Sequence, residues 1–170
     1  MTIQITSGML AEDRPLELLY ACHEKVRRFT ALAWKLAGHV AALGVDEQAR
    51  DAASQILRYF EMSLPHHHAD EELDVFPALR TLDDAAISGA ITALEAEHLT
   101  LEALWQEVSP WLHRVAQGEV APAPACLAQF VADYAVHAER EEREVFCAIE
   151  RLPGPVVDAI AQRMRARRGG

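Results

Sequence analysis

HHADEELDVF at residues 67–76 and HAEREEREVF at residues 137–146 share the pattern HxxxEExxVF and lie 70 residues apart. Each stretch belongs to a longer stripe of apolar residues spaced three or four apart. The first runs Leu57, Phe60, Leu64, His67, Glu71, Val75, Ala78, Leu82, and the second Leu127, Phe130, Tyr134, His137, Glu141, Val145, Ala148, Leu152. That period belongs to amphipathic helices that bury one face. Both stripes are interrupted midway by a histidine and, one turn later, by a glutamate.

Two further stripes flank these. Leu16, Leu19, His23, Val26, Thr30, Ala33, Ala37 and Val40 form one. Ile87, Ile91, Leu94, His98, Leu101, Trp105, Val108, Leu112 and Val115 form the other. Each carries a single histidine, and the two histidines lie 75 residues apart, as an internal duplication of a helix pair would give. The helices are expected over about 15–43, 46–82, 83–117 and 125–152. Asp46 serves as an N-cap, Gly44 and Gly118 as stops, and Pro153-Gly154-Pro155 as a strong terminator. A short fifth helix is expected over about 156–167. Pro65 and Pro110 fall inside the pattern and predict kinks. Short connections predict antiparallel neighbours, so the fold class is all-α: an up-down-up-down antiparallel four-helix bundle with a short C-terminal fifth helix. The divisions expected are an N-terminal arm (1–14), the bundle (15–152), and a C-terminal helix with a basic tail (153–170).

Composition agrees with helices. Alanine and leucine dominate, aromatics make up 6%, and glycine and proline number eight each. The net charge of −10 repels phosphate backbones, so nucleic acid is not an expected partner. Arg163, Arg165, Arg167 and Arg168 read most simply as cations near a helix C-terminus. No run of about 18 apolar residues predicts a membrane span. The opening MTIQITSGMLAEDRP lacks the basic and apolar regions of a signal peptide. Three cysteines, Cys22, Cys126 and Cys147, with no CxxC spacing, point to a reduced, cytoplasmic chain.

The polar groups all fall at one depth of the expected core. A histidine and a carboxylate at i and i+4 stack on one helix face, about 6 Å apart at Cβ. With 17 glutamates in 170 residues, one such pair means little, since His67, His68, His98 and His137 all have one. Two pairs that share the following Glu, Val and Phe carry more weight. Core carboxylates need cations or partners, and no lysine or arginine lies on the four stripes beside them. Four imidazoles and two carboxylates give two metals four nitrogens and two bridging arms. A nitrogen and oxygen set without thiolate suits iron or manganese better than a closed zinc site. The alternative is a metal-free polar layer of histidines hydrogen-bonded to glutamates. A rival register would use His68 with Glu72. His67 alone continues the stripe from Leu64, while His66 and His68 point about 100° to either side. His39 and His113 lie more than two turns from the layer. Tyr20 and Tyr134 sit one turn before ligand candidates, as core packing or as hydrogen-bonding groups beside a pocket. Cys22 faces away from His23. A ferritin-type site needs two ExxH motifs, and only Glu95–His98 fits.

On these residues the chain resembles the hemerythrin-like, or HHE cation-binding, domain proteins of bacteria. The resemblance spans about 15–152. It is carried by 67–77 with its EExxVFP ending, by 137–146, and by His23 in ACHEK and His98 in AEHLT. It implies an up-down-up-down bundle around two iron ions in an oxo- or hydroxo-bridged di-iron centre. Carried over by position, His23 and His67 would bind one iron and His98 and His137 the other, with Glu71 and Glu141 bridging. Oxygen-carrying hemerythrins have a third histidine on one iron; here the turns beside His98 hold Leu94 and Glu102. Their last carboxylate is an aspartate five residues after its histidine; here it is Glu141, four after. The resemblance is thus nearer to the four-His, two-Glu proteins linked to iron–sulfur repair and nitric oxide. It implies open positions for a small ligand (dioxygen, nitric oxide or peroxide) in sensing, redox chemistry or repair. The other readings are a non-catalytic module for iron storage, iron donation or zinc, and a metal-free interaction domain.

Overall fold

The computed structural model describes residues 14–169; residues 1–13 of the expected arm, and Gly170, lie outside the described residues. Helix α1 spans Pro15–Leu43, with Pro15 in its first turn, where the missing N–H is not needed. It ends at Gly44, whose φ of 81° favours glycine and whose N–H donates to the Val40 carbonyl. Asp46 caps the next helix by accepting from the Ala49 N–H at 2.8 Å, a contact worth about 1 kcal/mol.

The second arm is one helical run with two widened turns. Helix α2 (Glu47–Arg58) passes through a π turn (Tyr59–Ser63) into α3 (Leu64–Asp70). A second π turn (Glu71–Val75) leads into α4 (Phe76–Arg80). The Leu64 N–H donates to the Tyr59 carbonyl, and the Phe76 N–H to the Glu71 carbonyl, five residues back in each case. Each π turn directly precedes a proline, Pro65 or Pro77, at the start of the following α segment. A proline cannot donate to the carbonyl four residues earlier and collides with it; the wide turn moves that carbonyl away. The kink expected at Pro65 is therefore this π turn, and Pro77 produces a second one that the periodicity did not announce. Pro110 lies inside a continuous α5 (Ala85–Ala116), which Asp84 caps.

Helix α6 (Leu127–Glu144) ends earlier than the stripe suggests. Val145 leaves helical geometry, and a 3₁₀ segment (Phe146–Arg151) follows. Helix α7 (Gly154–Arg167) closes the chain. The second arm packs against α1 and α5, and α6 packs against α5 and α1, which closes a ring around one core. Among the described residues there is no strand, and no helix long and apolar enough to cross a membrane.

The core has two apolar clusters. One gathers Val26, Leu64, Leu101 and Tyr134 with their neighbours. The other gathers Leu19, Val75, Phe76, Leu94, Val145 and Phe146, together with Ile160 and Met164 of α7. Each fully buried Leu, Ile or Phe side chain contributes about 1.5–3 kcal/mol. On every long helical arm the histidine falls between a residue of one cluster and a residue of the other. The stripes are interrupted because the helices pass through a polar layer held between two apolar ones.

Candidate metal centre

Five helical pieces deliver that layer: α1 brings His23, α3 His67, the second π turn Glu71, α5 His98, and α6 both His137 and Glu141. All six side chains are buried, and Glu71 and Glu141 have no exposed surface. Ligand atoms of His23, His67, Glu71 and Glu141 lie within 4.8 Å of one another, and so do those of His98, His137 and Glu141. His23 Nε2 is 3.1 Å and His137 Nε2 3.2 Å from Glu141. His98 Nε2 is 3.5 Å from both Glu71 and Glu141. His67 Nε2 is 3.3 Å from Glu71. The six sequence candidates thus share one chamber.

Behind three of the four imidazoles stands a second carboxylate. His23 Nδ1 lies 2.8 Å from Glu142, His98 Nδ1 2.6 Å from Glu72, and His137 Nδ1 3.0 Å from Glu97. A carboxylate only accepts, so these partners favour the tautomer in which Nδ1 carries the proton and donates it outward. In the neutral ring Nε2 is then a lone pair aimed at Glu141 or Glu71. In that tautomer acceptors face acceptors at 3.1–3.5 Å, an arrangement that positive charge between them would satisfy. Among the described residues, the buried side-chain nitrogen and oxygen atoms left without a hydrogen bond are Glu71 Oε1 and Oε2, Glu141 Oε1, His98 Nε2, His137 Nε2 and His67 Nδ1. All but the last point to the gap a cation would fill, and they form the nitrogen and oxygen set that suits iron or manganese.

The repeated motif explains this arrangement. Its second glutamate and its final phenylalanine serve a histidine on a neighbouring helix. Glu142 bonds His23, and the Phe146 ring stacks on His23 with centroids 5.0 Å apart. Glu72 bonds His98, and Phe76 lies parallel to it at 6.2 Å. Val75 and Val145 are wholly buried. The repetition is visible in the sequence, but there Glu72 enters only in the rival register with His68, and Glu97 and Glu142 have no role. Arg27 holds Glu142 at 2.8 Å, and Arg140 pairs with Glu97.

Electrostatics separates the two central carboxylates. Burial, and then the negative charge of Glu141, push Glu71 well above the usual carboxylate range. Burial also opposes charge on Glu141, but the imidazoles of His137, His23 and His98 that face it outweigh burial and hold Glu141 well below that range. Burial and the neighbouring His23 push His67 well down. Burial would lower His137 too, yet its bonds to Glu141 and Glu97 raise it.

The remaining candidates fall outside the chamber. His68 is half-buried; its ring stacks on His98 at 4.1 Å, and burial pushes it down to about 3. Tyr134 is core packing against Phe60 and Phe130. Tyr20 is partly exposed, edge-on to Phe146. Glu102 is exposed, accepts from Gln106, and belongs to neither ligand group. His39 bonds the capping Asp46, and His113 bonds Glu61, both at the surface. The basic C-terminus does more than balance a helix end. Arg167 bonds Asp70 and Asp74, Arg163 bonds Asp74, and Arg168 bonds Asp70. Asp70 and Asp74 are buried beside Glu71.

The chain is 31% identical over 157 residues to an uncharacterized protein of Haemophilus influenzae, an alignment covering 92% of this chain and 91% of the relative. The family model for the hemerythrin HHE cation-binding domain matches residues 14–149. That span runs from the start of α1 through Ile149 and takes in all six chamber residues, so the chain belongs to the hemerythrin HHE cation-binding family.

Proposed function

We propose that the chamber holds two iron ions, with His23 and His67 on one, His98 and His137 on the other, and Glu71 and Glu141 between them. The carrying observation is the outer carboxylate beside each Nδ1 of His23, His98 and His137, which favours the tautomer that turns an Nε2 lone pair toward Glu141 or Glu71. Iron in such a site supplies one-electron redox chemistry and open coordination positions for dioxygen, nitric oxide or peroxide in sensing, redox chemistry or iron–sulfur repair. The protein's part is to hold the imidazoles in one tautomer, to keep water out with Phe76 and Phe146, and to keep Glu141 charged. Glu142, Glu72 and Glu97 raise the basicity of the nitrogens they orient. The ring of packed arms, each crossing from one apolar cluster to the other, supports an up-down-up-down antiparallel course. Three unpaired cysteines support a reduced, cytoplasmic setting. The partner in this reading is the small ligand, not nucleic acid or a membrane.

Elemental analysis with anaerobic and air-exposed absorption spectra tests the assignment. We expect about two metals per chain, iron when cells are iron-rich, and charge-transfer bands that respond to air, since two buried ligand groups share Glu141. Bound metal without such bands would favour a storage or zinc module; no metal would leave an interaction domain. His67→Ala should lose metal and His68→Ala should not, because only His67 faces Glu71; the reverse would overturn the register.

A further inference from the structure

The two bridging candidates differ in what holds them. Glu141 has three imidazole Nε2 atoms 3.1–3.5 Å from its carboxylate, and one of its oxygens pairs with His23. Glu71 has no hydrogen bond to either oxygen, and it sits at the start of a π turn, a geometry that persists only where its surroundings favour it over a regular α turn. Its position must come from the backbone, and the backbone is gripped on both sides. Asp70, just before Glu71, is fully buried and takes Arg167 and Arg168; Asp74, within the turn, is nearly as buried and takes Arg163 and Arg167. Of these three arginines, Arg167 reaches both carboxylates. Arg168 also donates to Cys22 Sγ at 3.8 Å, which ties the grip to α1 beside His23. Helix α7 is anchored independently through Ile160 and Met164 in the apolar cluster that includes Val75 and Phe76.

We infer that α7 is a clasp for the metal centre, in which Arg167, assisted by Arg163 and Arg168, acts as a positioning residue that fixes in place the Glu71–Val75 π turn made by Pro77 and so sets Glu71 toward the metals. Buried Asp70 and Asp74 would be very unfavourable without these cations, and their i, i+4 spacing on the turn matches that of Arg163 and Arg167 on α7. The inference rests on the proposed metal reading for its consequence and on the ion pairs alone for its geometry.

The test compares wild type, Arg167→Ala, Arg167→Lys and, as a surface control, Arg80→Ala, which removes the exposed pair with Glu95. Hydrogen exchange is followed on metal-free protein, then iron(II) is titrated anaerobically. Loss of Arg167 should speed exchange of amides 71–76 about tenfold while those around His98 stay as in wild type. It should weaken iron binding about tenfold and shift the charge-transfer band, a change that mere loss of packing would not produce. Arg167→Lys should recover part of both effects, because one ammonium reaches a single carboxylate, and Arg80→Ala should change neither. Wild-type exchange and wild-type iron affinity in Arg167→Ala would overturn the clasp, as would faster exchange confined to α7. If Arg167→Ala does not fold, Arg163→Ala, which gives up only one contact to Asp74, is read by the same criteria. If wild type itself takes up no iron, the metal reading fails and the exchange data alone decide the clasp.

Discussion

Glu71 and Glu141 hold equivalent places in the two copies of HxxxEExxVF, yet the two halves of the centre are supported in opposite ways. On the Glu141 side, His137 is backed by Glu97 and Arg140, and three imidazoles turn toward the carboxylate. On the Glu71 side, His67 Nδ1 has no partner, Glu71 is bare, and support comes through the backbone from the arginines of α7. At the 75-residue offset between His23 and His98, the residue matching Glu97 is Cys22, the residue before His23, so the half that lacks an outer carboxylate carries a thiol at that position. The same motif occurs twice in different surroundings, and the surroundings decide how each copy is charged.

The largest contrast should appear on removing each carboxylate from metal-free protein. Glu141→Gln removes a buried charge faced by three imidazoles and should destabilise by about 3 kcal/mol at pH 7 in denaturant unfolding. Glu71→Gln removes a charge that burial opposes and should leave the metal-free protein as stable as wild type or more so. Both should lower metal content. Equal destabilisation would erase the distinction.

The pH dependence follows with opposite signs. Glu71 is raised in the folded state, so its stability penalty is present above its folded pKa and fades as pH falls toward the unfolded value of about 4.3. Glu141 is lowered, so its contribution is present above about 4.3 and is lost as pH falls through its folded pKa. The gain from Glu71→Gln should therefore shrink between neutral pH and about pH 5, where the loss from Glu141→Gln persists. His67 and His68, both lowered, act against this in wild type: their neutral forms stabilise the fold above about 6.5, and that is lost as pH falls. The comparison must be made between variants at each pH.

A smaller effect separates the outer shell. Glu97→Gln should weaken metal binding by about 10–100-fold through His137, measured by chelator competition, while the fold stays intact because Glu97 is only part-buried. The smallest effect lies outside both halves. Asp46→Ala removes a cap and should lower stability by about 1 kcal/mol with metal binding unchanged.

Much of this was legible in the sequence because it depends on period. A spacing of three and four placed the helices and the shared depth of His23, His67, His98 and His137, and the repeat marked Glu71 and Glu141. What was not legible depends on pairing across the fold. Asp70 and Asp74 are four apart, as are Arg163 and Arg167, but nothing in the chain says that these two edges meet. The same holds for Glu72, Glu97 and Glu142, each of which serves a histidine on another helix. The π turns had a visible cause in Pro65 and Pro77, and only the first was read as a disturbance. The early end of α6 at Glu144 has no glycine or proline to announce it.

The most direct test of the centre is anomalous diffraction at the iron edge from crystals of the iron-loaded protein. Two peaks are expected, one beside His23 and His67 and the other beside His98 and His137, with Glu141 and Glu71 reaching between them. A single peak, or none within the chamber, would contradict the account.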